Sequence, residues 1–262
     1  MKKIQIQEHR NNTHALNCNM VSLPTISNLD DDIAMQKHYF SGSANWVIPN
    51  ILMAGGSPVR AAEGVDKCLE SLIQNANIST FVNLQSEVNP PSSAENLGGK
   101  SDGHQADSLP DYSDSASAIN PSVNFVYYGM VDEEAAESVD KLDEVVTKLV
   151  ERIHNGEVLY VHCKGGSGRT GTIVSSILGK LYPELSADEV LERTQKYFEM
   201  RARGAGKWVN PKLKSPATEG QKDQVKEYLL SLRNGETVVE EKAYTDDAEQ
   251  SVPQTCEACI LM

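Results

Sequence analysis

Between Val139 and His154 the apolar residues are Val139, Leu142, Val145, Val146, Leu149, Val150 and Ile153. Steps of three and four place them on one side of an α-helix. Asn155-Gly156 ends it, since glycine takes the left-handed cap at little cost. Directly afterwards Val158-Leu159-Tyr160-Val161 is an unbroken apolar run, the pattern of a central parallel strand. The alternation extends both ways along the chain. Residues 80–84 and 123–128 predict strands from their β-branched and aromatic content. Residues 46–49 and 51–56 predict a hairpin turning at Pro49-Asn50. Ser57-Pro58 predicts the start of a helix running to about Asn75. Further helices are expected over 170–181, from the capping box Ser186-Ala187-Asp188-Glu189, and over 216–232. The last carries Val225, Tyr228, Leu229 and Leu232 on one face. Strands separated by helices predict an α/β fold with a central, mostly parallel sheet flanked by helices. In such sheets ligands bind beyond the carboxyl ends of the strands, which directs attention to the segment after Val161.

Three stretches lack this patterning. Residues 1–40 read as a partly ordered, polar N-terminal extension carrying Asp30-Asp31-Asp32, with the ordered domain beginning near Trp46. Residues 87–122 are rich in Ser, Pro, Gly, Asn and Asp, and predict a low-complexity insertion, a long surface loop or a disordered segment rather than a separate domain. Residues 236–262 read as an acidic tail. The domain proper is therefore expected over 41–235, without internal repeats. The formal net charge of −13 over 262 residues disfavours nucleic acid as a partner, because phosphate backbones recruit basic faces. The five cysteines, Cys18, Cys68, Cys163, Cys256 and Cys259, are odd in number and irregularly spaced, unlike a disulfide framework. The N-terminus has no apolar secretory core, and no run approaches a membrane span. A reducing, cytoplasmic compartment is the expectation, where a cysteine stays free and reactive.

The segment after Val161 reads His162-Cys163-Lys164-Gly165-Gly166-Ser167-Gly168-Arg169-Thr170-Gly171. Five residues between Cys163 and Arg169 let the chain curl once around a tetrahedral anion. The glycines Gly165, Gly166 and Gly168 allow backbone angles that turn successive N–H groups inward. Lys164 and Ser167 complete the loop. The following helix adds its unsatisfied N-terminal donors and the positive end of its dipole. Arg169 can grip two phosphate oxygens as a planar fork. The same field favours the thiolate of Cys163, the nucleophilic form, and Thr170 stands where its hydroxyl can donate to the sulfur. A nucleotide-binding loop of the Walker type is excluded, since no Gly-Lys-Ser/Thr follows the glycines. The chemistry implied is attack of Cys163 on a phosphate ester and passage through a phosphocysteine, with no cofactor and no metal.

His162 to Gly171 match each fixed position of the signature His-Cys-x5-Arg-Ser/Thr-Gly. On these residues the chain resembles the protein tyrosine phosphatase superfamily, in its small dual-specificity branch. The resemblance covers Trp46 to about Leu232, interrupted by 87–122. The stretch Trp46-Val47-Ile48-Pro49 with Leu52-Met53-Ala54-Gly55 is similar to the family's opening hairpin. Ser215-Pro216 with Gln221 and Gln224 resembles the start of its last helix. The resemblance implies a cysteine-phosphatase fold and a phosphorylated protein as substrate. It implies that His162 supports the loop and tunes the cysteine. It also implies an acid on the loop after the preceding strand, about thirty residues before the cysteine. Asp132 stands there, 31 residues before Cys163, with Glu133 and Glu134 as the next candidates; the loop lacks the family's usual Trp or Pro.

Phosphotyrosine, with phosphoserine and phosphothreonine beside it, is the leading substrate class. A phosphoinositide is the alternative, because Lys164 directly after Cys163 resembles lipid phosphatases of the phosphatase-and-tensin-homologue group. That group has a second lysine where this chain has Ser167. A catalytically inactive phosphate-binding module is the third reading. The C-terminal Cys259-Ile260-Leu261-Met262 is a prenylation-type box favouring farnesyl, and Cys256 is placed to take a palmitoyl chain. A single lipid binds membranes marginally and the surrounding tail is acidic, so weak, reversible attachment is expected.

Overall fold

The computed structural model describes residues 22–100, 111–205 and 213–246. The apolar run after the long amphipathic helix becomes β6 (Leu159–Cys163), with each residue buried. It lies in the middle of a six-stranded sheet, between β2 (Leu52–Gly56) and β3 (Thr80–Gln85), both parallel to it. Outside β2 runs the antiparallel β1 (Ala44–Ile48). Outside β3 run β5 (Asn124–Met130) and then β4 (Glu95–Gly99), both parallel. The order is β1-β2-β6-β3-β5-β4, the mostly parallel α/β architecture that the alternating pattern predicts.

Successive side chains on a strand point to opposite faces, so each central strand supplies two cores. Val82, Val126 and Val161 face α4 (Val139–His154), α5 (Gly168–Leu181), α6 (Ala187–Ala205) and α7 (Glu219–Asp246) in the larger core. Phe81, Phe125 and Tyr160 face α2 (Val65–Glu70) and α3 (Ser113–Ile119). Each fully buried aliphatic or Phe side chain contributes roughly 1.5–3 kcal/mol relative to exposure. Strand register then brings the carboxyl ends of β2, β6, β3 and β5 to one edge, where Gly56 pairs with Cys163 and Gln85 with Met130.

The structure departs from the sequence reading at four places. The expected continuous helix over 58–75 is a 3₁₀ turn at Pro58–Arg60, then α2, then a wide turn over Ser71–Asn75. Gly64 sits at φ +92 and breaks it, and Ser57 closes no N–H with its side chain. Residues 87–122 are not one long loop: β4 adds the outer strand and α3 covers the aromatic face, burying Tyr112 and Ala116. The polar residues there pack few side chains, so periodicity gave no signal. The N-terminal stretch also joins the domain before Trp46. Asp31 caps α1 (Asp32–Gln36) and Met35 enters the larger core. His38 stacks on Tyr197 at 3.7 Å and hydrogen-bonds the Trp46 carbonyl oxygen at 3.0 Å. Finally, the backbone of α7 continues to Asp246 rather than ending near Leu232.

Candidate active site

Cys163 closes β6, and α5 begins at Gly168. Between them the chain turns back sharply at Gly166, whose φ is +73. The turn brings the Gly166 N–H to 3.3 Å from the Cys163 sulfur, which accepts it. A Cβ on Gly166 would run into the carbonyl of Gly55 and the Gly56 nitrogen, so β2 braces the loop from outside. The Ser57 N–H completes the brace by donating to the Lys164 carbonyl at 3.3 Å. Gly165 faces open space, and the Lys164 side chain is exposed.

Ser167 is the residue before α5, yet its hydroxyl makes no cap on that helix. It donates instead to the Lys214 carbonyl at 3.0 Å, while its own carbonyl accepts from the Ser215 hydroxyl at 3.0 Å. Ser167 therefore leaves the first N–H groups of α5 uncapped, and a helix start in that condition is suited to an anion.

Arg169 projects from the first turn of α5 and is fully buried. Glu87, just beyond β3, takes one end of the guanidinium in a fork: Nη1 donates to Oε2 at 2.6 Å and Nη2 to Oε1 at 3.0 Å. Nη1 also donates to the Met130 carbonyl at 3.0 Å, and Nη2 pairs with Asp132 Oδ1 at 3.0 Å. Nε has no partner. A guanidinium has five N–H donors, so Glu87 and Met130 occupy Nη1 and half of Nη2. What they leave is the edge made by Nε and Nη2, the pair of parallel donors that fits two oxygens of a phosphate. Burial alone would raise the Glu87 carboxyl, but the hydrogen bonds and charge of Arg169 outweigh it and hold it below the usual carboxylate range.

Asp132 sits two residues past β5 on an exposed loop, with its side chain 63% accessible and reaching Arg169. Of the neighbouring acids, Glu134 pairs with Lys100 at 3.4 Å. Glu133 holds a left-handed backbone, φ +63, and makes no ion pair with Arg169 among the described residues. The expected trio of Cys163, Arg169 and Asp132 is thus gathered at one sheet edge.

His162 is fully buried, and burial pushes its imidazole down to about 4. Its Nε2 lies 2.5 Å from the Tyr112 hydroxyl and its Nδ1 3.4 Å from the Cys163 carbonyl oxygen. Burial keeps Tyr112 a phenol, so its O–H donates to Nε2 and the proton on Nδ1 points at the carbonyl. A neutral imidazole so engaged braces the backbone of Cys163. One expectation fails: the Thr170 hydroxyl is buried without a hydrogen-bond partner among the described residues, so it does not reach the sulfur. The sharp turn at Gly166 gives the sulfur a backbone N–H instead. Cys256 and Cys259 lie outside the described residues. Sequence reasoning missed Glu87 and Tyr112 because both fall in the stretch read as an unstructured insertion.

Two outcomes follow locally. Gly166→Ala adds a Cβ where there is no room and about 1–2 kcal/mol of left-handed strain. Its melting temperature should fall, and turnover of an aryl phosphate should drop about 100-fold as the loop shifts. Gly165→Ala, with nothing within 4 Å of the added carbon, should melt as the wild type does. Acidification provides the second test. His38 and His162 are both lowered by burial to about 4, below the ordinary 6.5. Between those values the unfolded chain binds protons that the folded chain refuses, so stability falls as pH drops through that window. Thermal melts should show a loss of roughly 5 °C or more between pH 7 and pH 5; an unchanged midpoint would mean that neither ring is held neutral.

A cysteine and arginine around an uncapped helix start, at the carboxyl edge of a parallel sheet, define a cysteine-dependent phosphatase domain of the dual-specificity type. The chain belongs to the family described as the Swiss Army Knife protein DSP-PTPase phosphatase domain, whose model matches residues 41–225. It is 30% identical over 79 residues to protein 197R of Invertebrate iridescent virus 6, assigned as a tyrosine phosphatase; the match spans 29% of each chain. Among solved structures it is similar to Tk-PTP in the active form, with 20% identity, 71% of this chain and 96% of that one covered, and a TM-score of 0.46. It is also similar to PTPMT1 in complex with PI(5)P, with 15% identity, 73% and 97% covered, and a TM-score of 0.48.

Proposed function

We propose that the protein hydrolyses phosphotyrosine on protein substrates, with phosphoserine and phosphothreonine as further substrates, through a phosphocysteine intermediate. The observation that supports this most is the unsatisfied Nε of the buried Arg169, beside a sulfur and an uncapped helix start. In the first step the Cys163 thiolate attacks phosphorus and the bond to the leaving oxygen breaks. Asp132 gives that oxygen its proton. Arg169 and the loop N–H groups hold the three remaining oxygens, where charge accumulates. For this, Asp132 must release Nη2 to a phosphate oxygen. In the second step the Asp132 carboxylate takes a proton from water, the water oxygen attacks phosphorus, and the S–P bond breaks to restore the thiolate.

The exposed Lys164 favours a second reading, a phosphoinositide whose further phosphates it would meet. A chain of net charge −13 is repelled by anionic membranes, so the protein substrate is preferred. Turnover of phosphotyrosine peptide, phosphoserine peptide and a phosphoinositide panel decides between them. Hydrolysis of the lipids alone overturns the preferred substrate. Binding of phosphate analogues without any turnover makes the protein a binding module. For the tail, we propose a cytoplasmic protein held weakly and reversibly at membranes by farnesylation of Cys259, with palmitoylation of Cys256. Mass spectrometry of the protein from its native cells tests this, and an unmodified Cys259 ends it.

A further inference from the structure

The loop that carries Asp132 is held from one side by the first turns of α7. Gln224 meets Ala136 with both ends of its amide: Oε1 accepts the Ala136 N–H at 2.7 Å and Nε2 donates to the Ala136 carbonyl at 2.8 Å. Gln221, fully buried, donates from Nε2 to the Glu134 carbonyl at 2.9 Å. Its Oε1 accepts the Ala217 and Thr218 N–H groups at 3.0 and 3.2 Å, which fixes the amide's orientation. The Thr218 hydroxyl donates to the Glu133 carbonyl at 3.3 Å. Three successive anchor points, on Glu133, Glu134 and Ala136, thus follow directly after Asp132.

The same glutamine also touches the phosphate loop. A Cβ on Gly168 would stand 2.9 Å from Gln221 Oε1, so the bare glycine is what lets Gln221 pack there. Gln221 therefore lies against the start of α5 while it holds the acid loop, and the two halves of the site share one spacer. A carboxyl that must release an arginine and reach a leaving oxygen needs a defined hinge, and the anchored backbone at 133–136 supplies one.

We propose that Gln224 and Gln221, with Thr218, are positioning residues that place the Asp132 carboxyl for proton transfer to the leaving oxygen. This rests on Asp132 being the proton donor. A positioning role predicts a signature that a general loss of fold does not. Esters with an acidic leaving group, such as p-nitrophenyl phosphate, need little protonation, whereas phenyl phosphate needs it fully. General acid catalysis is worth about 10²–10⁴-fold. Gln224→Met, which keeps the volume and removes both hydrogen bonds, should lower kcat/KM, which reports phosphoryl transfer to Cys163 alone, about 10-fold or more for phenyl phosphate and leave it nearly unchanged for p-nitrophenyl phosphate. Thr218→Val, on the surface, should show a smaller loss of the same kind. Asp132→Asn should show the larger form of it, and adding Gln224→Met to Asp132→Asn should cost nothing more, since both act through one carboxyl.

Hydrogen exchange supplies a readout independent of the acid. In Gln224→Met the amides of residues 133–137 should exchange faster, with those of β3 and β6 unchanged. Equal losses of kcat/KM on both esters, or unchanged exchange at 133–137, would overturn the proposal. If Asp132→Asn itself shows no dependence on leaving group, the assignment of the acid has failed; the clamp then fails with it unless Gln224→Met alone retains that dependence.

Discussion

Cys163→Ser should abolish turnover of phosphotyrosine peptide, with kcat falling on the order of 10⁴-fold or more, while the peptide still binds. A serine hydroxyl needs a base to remove its proton, and the histidine beside it is not placed to act as one. His162, the adjacent residue, is held neutral, with Nδ1 directed to the Cys163 carbonyl and Nε2 engaged by Tyr112. Binding, by contrast, depends on Arg169, the loop N–H groups and the start of α5, and of these only the Gly166 N–H meets the substituted atom. Stopped-flow turnover and isothermal titration on the same preparation separate the two effects. Residual turnover above about one part in a hundred, an intact fold confirmed, would place the nucleophile elsewhere. Weakened binding with unchanged kcat would point to the same conclusion.

Glu87→Ala should produce the largest loss of stability of any single change in the site. It leaves the Arg169 guanidinium fully buried and without its forked partner, and removing one member of a buried ion pair costs about 3–5 kcal/mol. For a domain of this size that is roughly 10 °C in melting temperature. Glu87→Gln, which still accepts one hydrogen bond, should fall between. The pH dependence has a definite sign. Because Arg169 holds the Glu87 carboxyl below the ordinary carboxylate range, its contribution is present above that range and is lost as pH falls through the folded-state value. The gap between wild type and Glu87→Ala should therefore be full at neutral pH and narrow in strong acid. Turnover should fall as well, because the guanidinium would no longer be held with its Nε edge toward the phosphate. Equal melting temperatures would show that water or Asp132 replaces the carboxylate at no cost.

How far the site could be read in advance depends on whether its parts are contiguous. The helix at Val139–His154 came out with its observed ends, and β6 followed within a residue or two, because a sixteen-residue amphipathic repeat and an unbroken apolar run are both local signals. The insertion was misread for the opposite reason. Glu95-Asn96-Leu97-Gly98-Gly99 exposes most of its side chains, and it is a strand because β5 offers an edge to pair with. Residues 113–119 are rich in Ser and Ala and helical because Ala116 and the neighbouring Tyr112 find an aromatic face to cover.

By itself the sequence determined the alternation of strand and helix, and the ten contiguous residues His162 to Gly171 that place a sulfur, a tight glycine turn and an arginine at one strand–helix junction. Those depend on backbone angles and spacing, which neighbours along the chain decide. Only the tertiary structure decided what surrounds that junction. Glu87 stands 82 residues before Arg169, Tyr112 stands 50 before His162, and Gln224 stands 88 after Ala136. A single polar side chain has no periodicity to betray its partner. The strand order brings the ends of β3 and β5 beside that of β6, and α7 packs across α5, and so the carboxylate, the phenol and the amides arrive where the unsatisfied donors and acceptors of the site are.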